Sequence, residues 1–122
     1  MTSVTTERLS DGTFVLKPQG QITVTGGSDA ALVRAFHEAV ENGHLQILVD
    51  LSDTSYVDSS GFAALIRGWT AVQRAGGDVV LAAASPSVRK MLAMTRLMSI
   101  VKTCETTAEG IAQLHRGALH AG

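Results

Sequence analysis

Residues 45–61 read LQILVDLSDTSYVDSSG, and this stretch decides the fold. Its first seven residues are apolar except for one glutamine and one aspartate, which is long enough for a buried strand and too short for a helix. Polar residues follow at 52–58 and predict a loop that leads to the next element. From Ser60 onward apolar side chains recur every three or four residues, so we expect an amphipathic helix that ends at Gly76 and Gly77.

The segment before this stretch predicts a hairpin and a first helix. Residues 4–9 alternate in polarity, a Ser-Asp-Gly turn follows, and residues 13–17 (TFVLK) are typical of a strand. A further short strand is predicted at 21–24. After it, Ser28 or Asp29 is expected to cap a helix, because a side-chain oxygen there accepts a hydrogen bond from a first-turn amide.

The segment after it continues the alternation of strands and helices. Residues 78–83 (DVVLAA) predict a buried strand, and Ser85 and Pro86 open a helix, because proline is tolerated in the first turn. A short last strand is predicted at 99–102, and Thr107 is expected to cap a final helix. The expected inward-facing residues of these two helices are Val88, Met91, Leu92 and Met94, and Ala108, Ile111, Ala112, Leu114 and Leu119.

A hairpin followed by repeated strand-helix units predicts the α/β class, with parallel strands joined by right-handed crossovers. We expect a single mixed sheet of four to five strands, with about four helices mainly on one side. Aromatic residues make up only 4% of the chain. A core of small aliphatic side chains suits helices that lie closely on a sheet.

The composition argues against several classes of protein. Ten basic and eleven acidic residues among 122 give a formal charge of -1, which lacks the basic footprint of nucleic-acid binding. Cys104 is the only cysteine, so neither an internal disulfide nor a multi-cysteine metal site can form. No apolar run approaches the roughly 20 residues of a membrane span. We therefore expect a cytoplasmic protein without direct membrane insertion.

Sequence motifs of enzymes are missing. A nucleophile elbow would need glycine two residues before Ser59, where the chain has Val57. No glycine-rich loop of the dinucleotide or phosphate-binding type follows a strand. The histidines lack the spacing of three or four residues that places two zinc ligands on one helical face. We expect no catalytic residue, no metal site and no cofactor, and hence not an enzyme.

The concentrated signal is the run Asp58-Ser59-Ser60-Gly61 at the predicted helix start. In its plainest interpretation Asp58 or Ser59 caps the helix, and Gly61 permits close approach of another element. In a second interpretation one hydroxyl is a phosphorylation site, because the positive end of a helix favours a phosphate. Such a modification adds about -1.5 to -2 charges and can switch affinity for a partner.

At these residues the sequence resembles the STAS domain, the fold of bacterial anti-sigma factor antagonists. Residues 48–62 (LVDLSDTSYVDSSGF) are similar to the family's strand and Asp-Ser-Ser-Gly motif, and residues 86–97 (PSVRKMLAMTRL) to its second motif. The glycine pair at 76–77 agrees as well. The resemblance covers nearly the whole chain, so residues 1–122 are expected to form a single STAS domain with an ordered core at 4–119.

The resemblance implies partner switching. In similar proteins the serine after the aspartate is phosphorylated by an anti-sigma factor that is an ATP-dependent serine kinase; the unphosphorylated antagonist binds this kinase, and the phosphorylated one is released. Carried over by position, the acceptor is Ser59, with Ser60 as the secondary candidate. A serine phosphatase is a further candidate partner, and a monomer and a dimer both stay open. The expected partner-binding residues are Asp58, Ser59, Ser60, Gly61, Thr23, Thr25 and Arg67.

Two departures from the family pattern keep alternatives open. The family carries acidic residues at the end of its early strand, where this chain has Gln21 and Thr23, and a glycine where this chain has Arg96. The missing acids leave two other roles in view: a STAS accessory subunit of a lipid-transport ABC complex, and a scaffold subunit of a multi-STAS stress-signalling assembly.

Overall fold

The computed structural model describes the backbone of residues 3–120 and the side chains of residues 4–116. Within that range the chain forms six strands and five helices. In chain order they are β1 (Ser3–Arg8), β2 (Phe14–Ile22), α1 (Ser28–Glu41), β3 (Gln46–Asp50), β4 (Thr54–Val57), α2 (Ser59–Arg74), β5 (Asp78–Ala82), α3 (Pro86–Ala93), α4 (Leu97–Ile100), β6 (Lys102–Cys104) and α5 (Thr107–His120).

One mixed sheet holds these strands in the order β1-β2-β3-β5-β6, and β4 pairs with the end of β2. The hairpin partner β1 is antiparallel, whereas the other pairings are parallel. The α/β class and the mixed sheet are therefore confirmed, with six strands instead of four to five. Strands β2 and β4 end side by side at Ile22 and Val57, which brings the loops that follow them together.

The two faces of the sheet carry different helices. Alternate residues of β3 point to opposite faces, as strand geometry requires: Ile47 and Val49 join the large core that includes residues of α1, α2 and α3. Leu48 points the other way and packs with Leu114 of α5. Leu97 of α4 belongs to the same large core, so α1 to α4 lie on one face and α5 on the other, which agrees with the prediction that the helices lie mainly on one side.

Two sequence predictions around β2 are wrong. The separate strand at 21–24 is absent, because β2 continues without interruption from Phe14 to Ile22. The loop predicted at 52–58 contains strand β4, whose Thr54 is buried and donates a hydrogen bond to the Pro18 carbonyl at 3.0 Å. The polar composition concealed this strand, because its stability comes from pairing with β2 and not from an apolar pattern.

The predicted cap of helix α1 is also wrong. The N-cap position is Gly27 in a left-handed conformation, φ 73°, and no side chain caps the helix. Ser28 is buried, and its hydroxyl donates to the Gln21 carbonyl at 2.7 Å while accepting from the Thr23 amide at 2.7 Å. Ser28 therefore ties the start of α1 to the end of β2.

The C-terminal region differs from prediction in three places. Residues 97–100 form the short helix α4, and the last strand lies at Lys102–Cys104, not at 99–102. Thr106, not Thr107, accepts a hydrogen bond from the Glu109 amide and caps α5. Met94 is 81% exposed, so it does not belong to the inward face of α3.

Other expectations for these helices have mixed outcomes. Ser85 caps α3 by accepting from the Val88 amide at 3.3 Å, as predicted. Among the expected contacts of α5, Leu114 is buried, but Ala108 and Ala112 are exposed. Leu119 lies outside the described side chains.

Candidate functional site

Asp58 is the residue around which the site is built. Its Oδ1 accepts a hydrogen bond from the Gly61 amide at 2.8 Å and caps helix α2. Its Oδ2 accepts from the Val24 amide at 3.2 Å, and its own amide donates to the Ile22 carbonyl at 3.1 Å. Of the two caps proposed from the sequence, the structure assigns the role to Asp58.

Gly61 allows the start of α2 to lie directly on the end of β2. A Cβ atom at this position would overlap the Ile22 carbonyl oxygen and would lie 2.6 Å from Val57 Cγ1. Both contacts would be far closer than van der Waals contact, so any larger residue at position 61 would push α2 away from the sheet. The glycine of the motif thus holds the neighbouring serines against the sheet edge.

The two serines of the motif have different surroundings. Ser59 is the first residue of α2 and its side chain is exposed. Ser60 is half-buried and lines a cleft between α1 and α2. The first intrahelical bond runs from the Phe62 amide to the Asp58 carbonyl. The amides of Ser59 and Ser60 precede it, so the positive end of the helix dipole lies beside both hydroxyls.

The turn at 23–27 lies next to the motif, because Asp58 contacts Val24 directly. This turn carries Thr23 and Thr25, and Thr25 is exposed. Gln21 is exposed on β2 and pairs in register with Tyr56 of β4. The positions that carry acids in the family therefore stand at this edge, with neutral side chains in this chain.

Two exposed apolar side chains accompany the polar groups. Val24 is 60% exposed in the turn and Tyr56 is 43% exposed on β4. Sequence reasoning missed both residues, because Tyr56 was assigned to a loop and Val24 to a short strand at 21–24.

Arg67 lies on α2 in the same cleft as Ser60, together with Asp29 and Arg34 of α1. The cleft has a volume of about 250 Å³. Arg67 was expected at the site, but Arg34 was not. The sequence places Arg34 on the polar face of the first predicted helix. It does not show which other helix lies beside that face, so Arg34 could not be assigned to the site.

The docking face is defined here as the exposed or half-buried surface formed by residues of the motif, the 23–27 turn and the α1–α2 cleft. Its expected members are brought together by the fold: Thr23, Thr25, Asp58, Ser59, Ser60 and Arg67 lie on it, and Gly61 is buried beneath it.

Other chemistry-bearing residues are engaged elsewhere. His44 stacks on Phe14 with ring centroids 4.1 Å apart, and His115 lies 3.1 Å from a carboxylate oxygen of Asp11. Among the described residues no group of three or more His, Cys, Asp and Glu side chains could hold a metal ion. No described helix is long and apolar enough to cross a membrane.

Cys104 and Trp69 lie away from the docking face. The Cys104 thiol donates a hydrogen bond to Gln113 Oε1 at 2.8 Å, and partial burial raises the pKa of the thiol.

Trp69 is half-buried and packs against the main core. It also lines a cavity of about 750 Å³ near the amino ends of β3, β5 and β6. Lys102 and Asp78, which form a salt bridge of 2.6 Å, also line this cavity.

The comparison with protein families gives the class. The family model described as "STAS domain" matches residues 6–110. The chain therefore belongs to the STAS domain family, as its two motifs predicted. A Thermotoga maritima protein provisionally named an anti-sigma factor antagonist is 24% identical over 111 residues, which cover 89% of this chain and 96% of the relative.

Solved structures agree on the fold. The crystal structure of a Thermotoga maritima protein with the same provisional name has a TM-score of 0.83 at 22% identity and covers 93% of this chain and 95% of its own. An anti-sigma factor antagonist from Mycobacterium paratuberculosis has a TM-score of 0.82 at 20% identity, covering 94% and 95%. The unphosphorylated form of the antagonist SpoIIAA has a TM-score of 0.68 at 19% identity, covering 94% and 99%.

Arg96 has no special backbone requirement. Its φ is -87° and it occupies the N-cap position of the short helix α4. The glycine that the family carries here is therefore not needed for a left-handed conformation in this chain. This departure changes surface charge and leaves the fold intact.

Proposed function

We propose that this protein is an anti-sigma factor antagonist that acts by partner switching. Unphosphorylated, it binds an anti-sigma factor with ATP-dependent serine kinase activity; phosphorylation of Ser59 releases it. It works by docking, without catalysis of its own, in the cytoplasm where sigma factors act. A serine phosphatase would return it to the binding state.

The observation that carries the proposal is the exposure of Ser59 at the first position of α2, between the capping Asp58 and the half-buried Ser60. A kinase needs an accessible hydroxyl. Asp58 fixes the position of this one, because its carboxylate accepts hydrogen bonds from the Gly61 amide of the helix and from the Val24 amide of the 23–27 turn. Relatives support the assignment, because SpoIIAA of Bacillus has been solved in a phosphorylated form with the same fold.

Phosphorylation would oppose docking for an electrostatic reason. A phosphate on Ser59 adds about -1.5 to -2 charges beside the Asp58 carboxylate, in the middle of the docking face. Burying these charges against a partner without a compensating cation costs several kcal/mol. About 3 kcal/mol already weakens an affinity by more than a hundredfold.

The proposal is tested by measuring binding and phosphorylation with purified serine-kinase anti-sigma factors from the source genome. We expect one of them to bind in the nanomolar to micromolar range, to transfer phosphate from ATP, and to leave it on Ser59 by mass spectrometry. Ser59→Ala should bind permanently, and Ser59→Asp should bind weakly. Ser60→Ala is the matched control and should still be phosphorylated at Ser59.

Absence of any binding kinase, or phosphate only at other residues, would refute the proposal.

Gln21 and Thr23 favour a second candidate function, because this chain has neutral side chains at the two positions where the family carries acids. A pull-down that recovers an ABC transporter ATPase would support an accessory subunit of a lipid-transport complex. A particle in the megadalton range would support a scaffold subunit of a multi-STAS assembly.

A further inference from the structure

Two arginines on neighbouring helices face one cleft. Arg34 of α1 and Arg67 of α2 both line it, with Ser60 between the helices and Asp29 at its α1 wall. Both arginines are exposed, and neither forms an ion pair within the part of the chain that the structure describes. The Asp29 carboxylate accepts a hydrogen bond from the Ala30 amide at 2.8 Å.

The spacing of the residues explains why both arginines line the same cleft. Ser60, Ala64 and Arg67 are four and three residues apart, so they form one stripe along α2. Ala30 and Arg34, four residues apart, form the facing stripe on α1. Small apolar side chains therefore line the cleft beside the charged groups: Ala64, which is buried, and Ala30, which is exposed.

Close packing of the helices sets the width of this cleft. A Cβ atom at Gly68 would overlap the ring of Phe36, so α1 and α2 meet closely just beyond the arginines. The cleft volume of about 250 Å³ is below the range of about 300–1,000 Å³ found for small-molecule sites. It can take a side chain of another protein more readily than a metabolite.

We propose that the α1–α2 cleft receives an acidic side chain of the protein that docks at Ser59, held between Arg34 and Arg67. This inference rests on the proposed function, since it describes the chemistry of that partner. Arginine is suited to the role because its planar guanidinium group binds a carboxylate through two parallel hydrogen bonds. Two arginines against Asp29 leave the cleft with an excess of positive charge on a chain whose formal charge is -1.

The cleft also links docking to the modification. Ser59 does not line the cleft, but it immediately precedes Ser60, which does, so a phosphate on Ser59 would lie within one helical turn of the cleft. Its charge would attract the same arginines and repel the incoming carboxylate. The positive cleft would thus act in the unphosphorylated state and be neutralised by phosphorylation.

The first test uses the kinase that binds in the experiment on Ser59. Arg34→Glu and Arg67→Glu should each weaken binding at least tenfold and flatten its dependence on salt, because screening acts on the lost charge pairs. Arg34→Lys and Arg67→Lys should lose less. Arg74→Glu is the matched control: Arg74 is exposed on the same helix outside the cleft and should change affinity by less than twofold.

The second test needs no kinase. The side-chain Nε–Hε signals of the exposed arginines are followed by NMR during titration with acetyl-tetraglutamate amide at low salt, with acetyl-tetraglutamine amide as the neutral control. We expect the signals of Arg34 and Arg67 to move with the acidic peptide and that of Arg74 to stay.

The outcomes separate the two proposals. If Arg34→Glu and Arg67→Glu match Arg74→Glu in affinity while Ser59 is still phosphorylated, the cleft proposal is wrong and the proposed function stands. If no kinase binds, the proposed function fails, and the peptide titration alone decides about the cleft: equal shifts at all exposed arginines would overturn it.

Discussion

The carboxylate of Asp58 accepts a hydrogen bond from the Val24 amide at 3.2 Å, across 34 residues of sequence. Its other oxygen caps helix α2 at the Gly61 amide. One side chain therefore holds together the helix that carries Ser59 and the turn that carries Thr23 and Thr25. The geometry of the docking face depends on this residue more than on either serine.

Removing the Asp58 carboxylate should destabilise the fold. For Asp58→Ala we expect a loss of about 2 kcal/mol in the free energy of unfolding, about 1 from the helix cap and about 1 from the bond to Val24. Urea unfolding followed by circular dichroism measures it. The control is Asp53→Ala, whose half-exposed carboxylate forms only a surface ion pair with Lys17 at 3.3 Å and should change stability by less than about 0.5 kcal/mol. Equal effects of the two substitutions would contradict the bridging role.

Alanine at the motif glycine should be harmful where alanine normally helps. Glycine to alanine within a helix usually gains about 1 kcal/mol. At Gly61 the new Cβ meets the backbone oxygen of Ile22, which cannot move aside, so Gly61→Ala should lose about 2 kcal/mol or more. At Gly110 the nearest atom is the side-chain Cδ1 of Leu48, at 2.5 Å, which can shift where a backbone oxygen cannot, so Gly110→Ala should lose less stability than Gly61→Ala. Thermal unfolding of both variants distinguishes the cases; a stabilised Gly61→Ala protein would show that the close approach is unnecessary.

Ala83 offers a stabilising substitution. It is the only described non-glycine residue with a positive φ, 62°, a conformation that costs roughly 1–2 kcal/mol for an L-residue. Ala83→Gly removes this strain and adds chain entropy of up to about 1 kcal/mol to the unfolded state, so we expect a net gain of about 0.5 kcal/mol. Ala82→Gly, in the adjacent buried strand position, should destabilise. If both variants lose stability in denaturant titrations, Ala83 is not strained.

Acid should remove a contribution that Asp11 makes to stability. The Thr13 amide, which donates to Asp11 Oδ1 at 2.9 Å, is the main cause that lowers the pKa of Asp11, and His115 lowers it further. A lowered pKa in the folded state stabilises the fold above the unfolded pKa of about 4. This stabilisation is lost as the pH falls through the folded value. The difference in urea midpoint between wild type and Asp11→Asn should therefore shrink on acidification.

A second substitution separates the causes of this shift. His115→Ala removes the contact between His115 Nε2 and the Asp11 carboxylate but leaves the Thr13 amide in place. We expect the pKa of Asp11, followed by carboxyl NMR, to stay below its usual value in this variant. A return to the usual value would show that His115 is the dominant cause.

Local patterns in the sequence were enough for much of the architecture. The apolar run at 45–51 became β3, and the helical spacing after Ser60 became α2. Ser85 caps α3 as predicted. These features follow from periodicity and capping, which act over a few residues and need no knowledge of distant neighbours.

The failures arose where a distant partner decides the local structure. Strand β4 is polar in sequence and exists because it pairs with β2, where Gly20, φ 83°, lies at a shift in register. Ser28 or Asp29 was predicted to cap α1, but the Ser28 hydroxyl instead bonds backbone groups of Gln21 and Thr23, at and just after the end of β2. Such choices depend on which groups the fold brings within hydrogen-bonding distance.

The candidate site divides in the same way. The sequence by itself determined the motif at residues 58–61, its place at a helix start and its resemblance to a family, because these are properties of adjacent residues. Only the tertiary structure decided that Ser59 is exposed, that Ser60 lines a cleft, and that Arg34 faces Arg67 across it. The physical reason is that helix-on-helix packing and strand order are set by the whole core, so the neighbours of a surface residue are not encoded beside it.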